Sequence, residues 1–186
     1  MIGRLASNWV YGGFLAGFVL LALLALAARS LSLPMFVVAL QLPLYMLHQY
    51  EEHDDDRFRR YVNEHAGGGK EVLTVPAAFV INIGGVWLLN LVSIALAATV
   101  DLGFGLIGVY GALVNSLVHI AAGIVGRSYN PGLATAVVLL LPAGAAGVWA
   151  VTVAGHGEWG FQLLGFGGAI LLHLAIIVYV GIRKRG

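Results

Sequence analysis

The chain has 186 residues, 60% of them hydrophobic and only 10% charged, with a formal net charge of +1. Ordinary soluble domains are about 45–50% apolar and about 25% charged. A soluble globule of this length could not bury so much apolar surface, so lipid is the expected solvent for much of the molecule. The ten Lys and Arg residues are scattered or flank apolar runs, which excludes a nucleic-acid-binding face. With no cysteine, disulfides, thiolate catalysis and thiolate metal sites are excluded as well.

The first apolar run, 9–28, follows Arg4 and lacks a cleavage site after Arg29, so it reads as an uncleaved span. The second, 33–60, is unusual. Its apolar part ends near Leu47 after about 15 residues, short of the roughly 20 that cross a bilayer. The helix must continue into the stretch from His48 onward, which places polar residues at membrane depth. Further runs follow at 74–100, 104–125, 132–154 and 159–181. Between the fourth and fifth, Tyr129-Asn130-Pro131-Gly132 reads as a turn with Asn130 as N-cap and Pro131 at the first helical position. The pattern predicts an all-α, polytopic transmembrane bundle of about six spans forming one domain.

Basic residues set the orientation. Arg4, Arg57, Arg59, Arg60, Lys70, Arg127, Arg183, Lys184 and Arg185 fall on one side and Arg29 alone on the other. Both termini are therefore expected in the cytoplasm, in the inner membrane for a bacterial chain.

Candidate chemistry begins at the end of the second span. On a helix, His48, Glu51, Glu52 and Asp55 share a stripe that continues back through Tyr45 and Gln41. Such neighbours can converge on a cation, or a Glu can serve as base toward bound water. Ionisable groups at membrane depth are costly and usually functional. His53, Asp54 and Asp56 read instead as the wet end of the helix. The fourth span adds Asn115 and His119 on one face, along a stripe of small residues that suits close packing. The sixth adds His173. His48, His119 and His173 each lie about 15 residues into spans running the same way, hence about 22 Å deep, and Asn82 of the third span reaches a similar layer.

Three imidazoles and a carboxylate suit a single catalytic zinc. The expected ligands are His48, His119, His173 and either Glu51 or Glu52. The other Glu is a candidate general base, and Asn115 is either a catalytic residue or interhelical glue. A di-iron site is disfavoured, because the other spans contain no interior carboxylates.

The pattern His48-Gln-Tyr-Glu51-Glu52 at the cytoplasmic end of a helix resembles the HXXEE-domain family of small multi-span membrane proteins, which is largely uncharacterised. Asn115-x-x-x-His119 and Tyr129-Asn130-Pro131-Gly132 followed by Thr135 are also similar to that family's pattern, so the likeness covers roughly 41–135. It implies a fold and a motif and no established activity. A fainter similarity runs to intramembrane metalloproteases of the CAAX-processing type, which use a Glu-Glu pair with later His and Asn. Here Arg57 stands one residue beyond their spacing, and Asn115 precedes His119 where their order is reversed.

These readings lead to an expected metal-dependent hydrolase acting on a lipid or a membrane-embedded peptide from the cytoplasmic side. The alternative is a non-enzymatic proton or metal-ion translocator, or a lipid-binding protein, using the same side chains. Few polar residues continue into the outer halves of the spans beyond Asn90, Ser93 and Gln162, which weighs modestly against transport.

Overall fold

The computed structural model describes residues 1–186 as helices without strands. In chain order they are α1 (Ile2–Ala27), α2 (Leu33–His53), a short α3 (Arg57–His65), α4 (Val75–Thr99), α5 (Leu102–Gly126), α6 (Leu133–His156) and α7 (Trp159–Arg185). Of the six long helices, α1 and α4 to α7 are long and apolar enough to cross a membrane. Their starts follow local chemistry. The Ser32 hydroxyl accepts from the Met35 amide ahead of α2, and the Thr74 hydroxyl accepts from the Ala77 amide ahead of α4, each with a proline in the first turn.

α2 is the exception because it is central. It packs against α1, α4, α5 and α6, so its side chains meet protein on most sides and polar ones can be paired there. The outer helices α1 and α7 instead leave large apolar residues such as Leu15, Phe18, Leu171 and Ile177 exposed, as lipid-facing helices do. Small residues bring the long helices close. A methyl on Gly144 would lie 2.9 Å from Leu113 Cβ, and one on Gly147 would lie 2.7 Å from Val109 Cγ2, so α5 and α6 touch almost backbone to side chain.

The expected continuation of the second helix to residue 60 is interrupted. α2 ends at His53, and Asp55 and Asp56 adopt left-handed backbone angles (φ 52° and 59°) before α3 departs. Three consecutive aspartates meet Arg57, Arg59 and Arg60 of the next turn, with ion pairs Asp54–Arg57, Asp55–Arg60 and Asp56–Arg59 closing the corner. Aspartate tolerates that conformation better than most residues do. The corner turns the chain aside and keeps His53 within the bundle.

Two apolar clusters fill the interior. Val38, Ala97, Leu106, Val109 and Val151 form one, while Tyr45, Val86, Ala112 and Leu140 form the other, directly against the polar layer at the α2 C-terminus. That second cluster is the floor of the site.

Candidate metal centre

The polar layer is built by the last turns of α2, the lower half of α5 and the 127–135 link into α6. His48, Glu52 and His119 are all buried, and one ligand atom from each lies within 4.8 Å of the others. Glu52 Oε2 is 3.6 Å from His48 Nε2, and Glu52 Oε1 is 3.3 Å from His119 Nε2. Donor atoms around a tetrahedral zinc with bonds of about 2.05 Å stand roughly 3.3 Å apart. The triad is therefore close to a size that such an ion would bridge.

Hydrogen bonds at the far ring atoms decide what the two imidazoles present. Asn130 Nδ2 donates to the His119 carbonyl at 3.0 Å, which fixes its amide so that Oδ1 faces His119 Nδ1 at 2.7 Å. An amide oxygen accepts only, so the proton of His119 sits on Nδ1 and Nε2 carries a bare lone pair. At His48 the same outcome follows from a longer chain. The Thr135 hydroxyl has one proton and gives it to the carboxylate of Glu51, so Thr135 Oγ1 accepts from His48 Nδ1 at 2.9 Å. His48 Nε2 is then unprotonated as well, and its lone pair accepts from the Asn115 amide at 3.0 Å. Imidazole ligands are commonly held this way, with the remote N–H anchored and the free nitrogen aimed at the ion.

Glu51 and Glu52 diverge although they are adjacent, because successive helical residues point about 100° apart. Glu51 Oε1 accepts from the Tyr129 hydroxyl (2.6 Å) and the Ala134 amide (3.1 Å), while Oε2 accepts from the Thr135 amide (2.7 Å) and the Thr135 hydroxyl. Its carboxylate is saturated by the start of α6. Tyr129, in the loop, keeps its phenol proton to higher pH than an ordinary tyrosine, through partial burial and then through Glu51. Glu52 faces inward and also meets His53, whose Nε2 is 3.2 Å from Oε2.

Of the sequence candidates, the structure brings His48, Glu52 and His119 into one group and places Glu51 beside it through Thr135. His173 stands apart from that group. Its Nε2 is 3.3 Å from Asn115 Oδ1 and its Nδ1 is 2.8 Å from the Ala169 carbonyl, so it reaches the triad only through the Asn115 amide. His53, expected at the wet end, is instead buried, packed edge-on against Trp9 at 5.0 Å between ring centres. Asn130, expected as an N-cap, makes no cap bond. It is buried on His119, and the residue before the first turn of α6 is Gly132 (φ 96°). The cap reading fails because Pro131 lies outside the helix and the left-handed Gly132 swings Asn130 back over α5.

Gln49 joins the site although the motif does not include it. It is fully buried, donates to Asn82 Oδ1 at 2.7 Å and accepts from Trp87 Nε1 at 2.5 Å, joining α2 to α4 beside the site. A polar residue one position from the motif in an otherwise apolar helix was the available signal. Gly132 completes the enclosure. A methyl there would stand 2.9 Å from Cε1 of both His48 and His119.

The architecture defines a class: an all-helical bundle with five membrane-length apolar helices, holding a buried His–Glu–His group able to bind a metal ion. Within it, the chain belongs to the family described as proteins of unknown function with an HXXEE motif, whose model matches residues 39–150. The motif here is His48, Glu51 and Glu52, and the matched segment also contains Asn115, His119, Asn130 and Thr135. No curated protein and no solved structure matches the chain.

Proposed function

We propose that the protein is an integral membrane hydrolase that uses one divalent metal ion, zinc by donor chemistry, held by His48, Glu52 and His119 near the cytoplasmic face, with both termini in the cytoplasm. The observation that carries this reading is the convergence of two unprotonated Nε2 atoms on one buried carboxylate. His119 Nε2 and His48 Nε2 lie 3.3 and 3.6 Å from the Glu52 carboxylate, so a divalent cation that displaced the Asn115 amide from His48 would find three donors already converged. A bound ion would supply Lewis acidity and an acidified water, as in other sites of two imidazoles and a carboxylate.

The chain's own residues would do the rest. Glu51 and Thr135 lock the His48 ring, and Asn130 locks His119. With an ion on His48 Nε2, the Asn115 Nδ2 donor that now bonds that nitrogen would be released beside it to hold a developing oxyanion. His53 touches Glu52 and also lines a cavity of about 280 Å³ between α1 and the α2 corner, so it can pass a proton between Glu52 and that water-accessible space. In hydrolysis, water oxygen bonds to the acyl or phosphoryl centre, the bond to the leaving group breaks, and the displaced proton ends on the leaving group. The donors of the mid- and outer-span polar groups are spent on backbone carbonyls, although the buried Gln41 Oε1 and Asn90 Oδ1 are left without partners. Gln41 Nε2 bonds the Val37 and Ala143 carbonyls, and Ser93 bonds the Phe104 carbonyl, which favours an enclosed site over a path through the bundle.

The test is metal content by mass spectrometry of protein purified in detergent without chelators. Near-stoichiometric metal in wild type, lost in both His48→Ala and His119→Ala, is the expected result. Metal-free wild type overturns the reading. Lipid and peptide hydrolysis screens against Glu52→Gln then identify the bond that is cut.

A further inference from the structure

Two cavities on one side of the bundle share a wall. An inner chamber of about 70 Å³ is touched by Glu52, Asn115 and His173, and an outer groove of about 530 Å³ runs between α4 and α7. Ile81, Leu172 and Ile176 line both. The groove therefore leads from the apolar perimeter of the bundle to the side chains beside the triad, with three flexible aliphatic residues as the partition.

We propose that this groove seats one acyl chain of an anionic membrane lipid, with the lipid's headgroup at the cytoplasmic rim and the bond beneath the headgroup presented to the chamber at Glu52. The inference rests on the hydrolase reading for the reaction, but the binding site stands on its own observations.

The first is chemical. Thr74 and Tyr179, at the surface end, are the only groove side chains with a polar atom. Both walls are helices whose backbone groups are bonded internally, so an extended peptide in the groove would find no partners for its own N–H and C=O groups within the bilayer. A hydrocarbon chain has none to satisfy.

The second is charge. At that same end Lys70 Nζ bonds the Lys184 carbonyl at 3.1 Å and the Arg183 guanidinium approaches the Glu71 carbonyl at 3.4 Å, which ties two exposed cationic side chains to the rim, with the exposed Lys184 next to them in the chain. Glu71 is the acidic group nearby, and its carboxylate is taken by Arg59. The rim is thus net positive, which favours an anionic headgroup.

The third is depth. Ile81 and Leu172 each lie seven residues below Thr74 and Tyr179, hence about 10 Å at 1.5 Å per residue. The interfacial layer of a bilayer is roughly 5–7 Å thick on each side. The partition consequently sits where a glycerolipid's ester groups give way to hydrocarbon.

The test uses full-length protein reconstituted in phosphatidylcholine vesicles doped with either phosphatidylglycerol or phosphatidylcholine carrying a photoactivatable diazirine in one acyl chain, with adducts mapped by mass spectrometry. Adducts are expected to concentrate on 76–81 and 172–176 over the lipid-exposed face of α1 at Leu15 and Phe18, and more with the anionic probe. Ala175→Phe and Ile176→Trp, each filling the groove, should suppress them several-fold. Arg183→Gln and Lys184→Gln should each cut the anionic preference by about fivefold, the equivalent of roughly 1 kcal/mol per basic residue near an anionic surface. Labelling spread evenly over all faces, or unchanged in both groove-filling variants, overturns the proposal. So does groove labelling by a diazirine-bearing hydrophobic peptide that excludes the lipid probe. Metal content measured on the same preparations separates the two readings. Groove labelling in metal-free protein keeps the lipid site and removes the hydrolase, and metal-loaded protein without groove labelling does the reverse.

Discussion

Asn130 grips His119 at two points, donating through Nδ2 to its backbone carbonyl and accepting through Oδ1 from its ring. The two bonds determine each other. The carbonyl can only accept, so the amide cannot turn over, and the ring proton is held on Nδ1. The loop residue Asn130 therefore decides which imidazole nitrogen of α5 is free to bind an ion.

Asn130→Ala should weaken metal binding by about 10- to 100-fold, the usual cost of losing a residue that orients an imidazole ligand. Competition against a zinc-chelating dye measures it. Unchanged affinity in a folded variant would show that the ring holds its tautomer without Asn130.

Glu51 and Glu52 should separate cleanly on substitution. In Glu51→Gln an amide N–H must face at least one of the donors now received from Tyr129, Ala134 and Thr135, at a cost of about 1–3 kcal/mol. Its thermal midpoint in detergent should fall while most of the metal is retained. Glu52→Gln should lose most of the metal. The reverse pattern would make Glu51 the ligand and Glu52 the structural carboxylate.

Much of this was legible in the chain. The helical class, and the layer shared by His48 and His119, follow from apolar run lengths and residue counts. What the counts lack is rotation. His173 lies at the same nominal depth, yet the setting of α7 about its own axis depends on Gly165 against the Leu106 carbonyl, where a methyl would stand 2.6 Å away. That setting turns His173 toward Asn115 and away from the triad. The same holds for adjacent Glu51 and Glu52, since only the packing of α2 against α6 selects which one faces the 127–135 link. The aspartate run beside an arginine run predicts an exposed helix end at His53, whereas pairing between the two runs turns the corner and leaves His53 buried.

Gly132 is the position where a single methyl should do most damage. Its backbone is left-handed (φ 96°), and the methyl would press on the Cε1 atoms of His48 and His119 at 2.9 Å each. Left-handed strain of about 1–2 kcal/mol and overpacking of about 1–3 kcal/mol together suggest a loss of about 2–5 kcal/mol in Gly132→Ala. Metal affinity should fall as well, because both rings must move. Gly68→Ala is the control, since Gly68 is also left-handed (φ 65°) but its methyl would meet open space. Equal thermal shifts in the two variants would mean that the contact with the rings carries no cost.

At the opposite end of the bundle, Asp101 starts α5 by accepting from the Gly103 amide at 2.7 Å and pairs with His156 Nδ1 at 3.0 Å. The backbone bond from Gly103, followed by His156, holds its carboxyl below the ordinary aspartate value. A carboxyl lowered on folding contributes stability that is complete above its unfolded pKa of about 3.9 and is lost as pH falls through the lower folded value. The thermal midpoint of wild type should therefore decline below about pH 4 in part through this residue. Asn at the same position keeps a side-chain oxygen for the Gly103 amide but carries no charge. The wild-type advantage over Asp101→Asn should accordingly shrink between pH 6 and pH 3 when melting is followed by circular dichroism in detergent. A constant difference across that range would leave the Asp101 charge without a role.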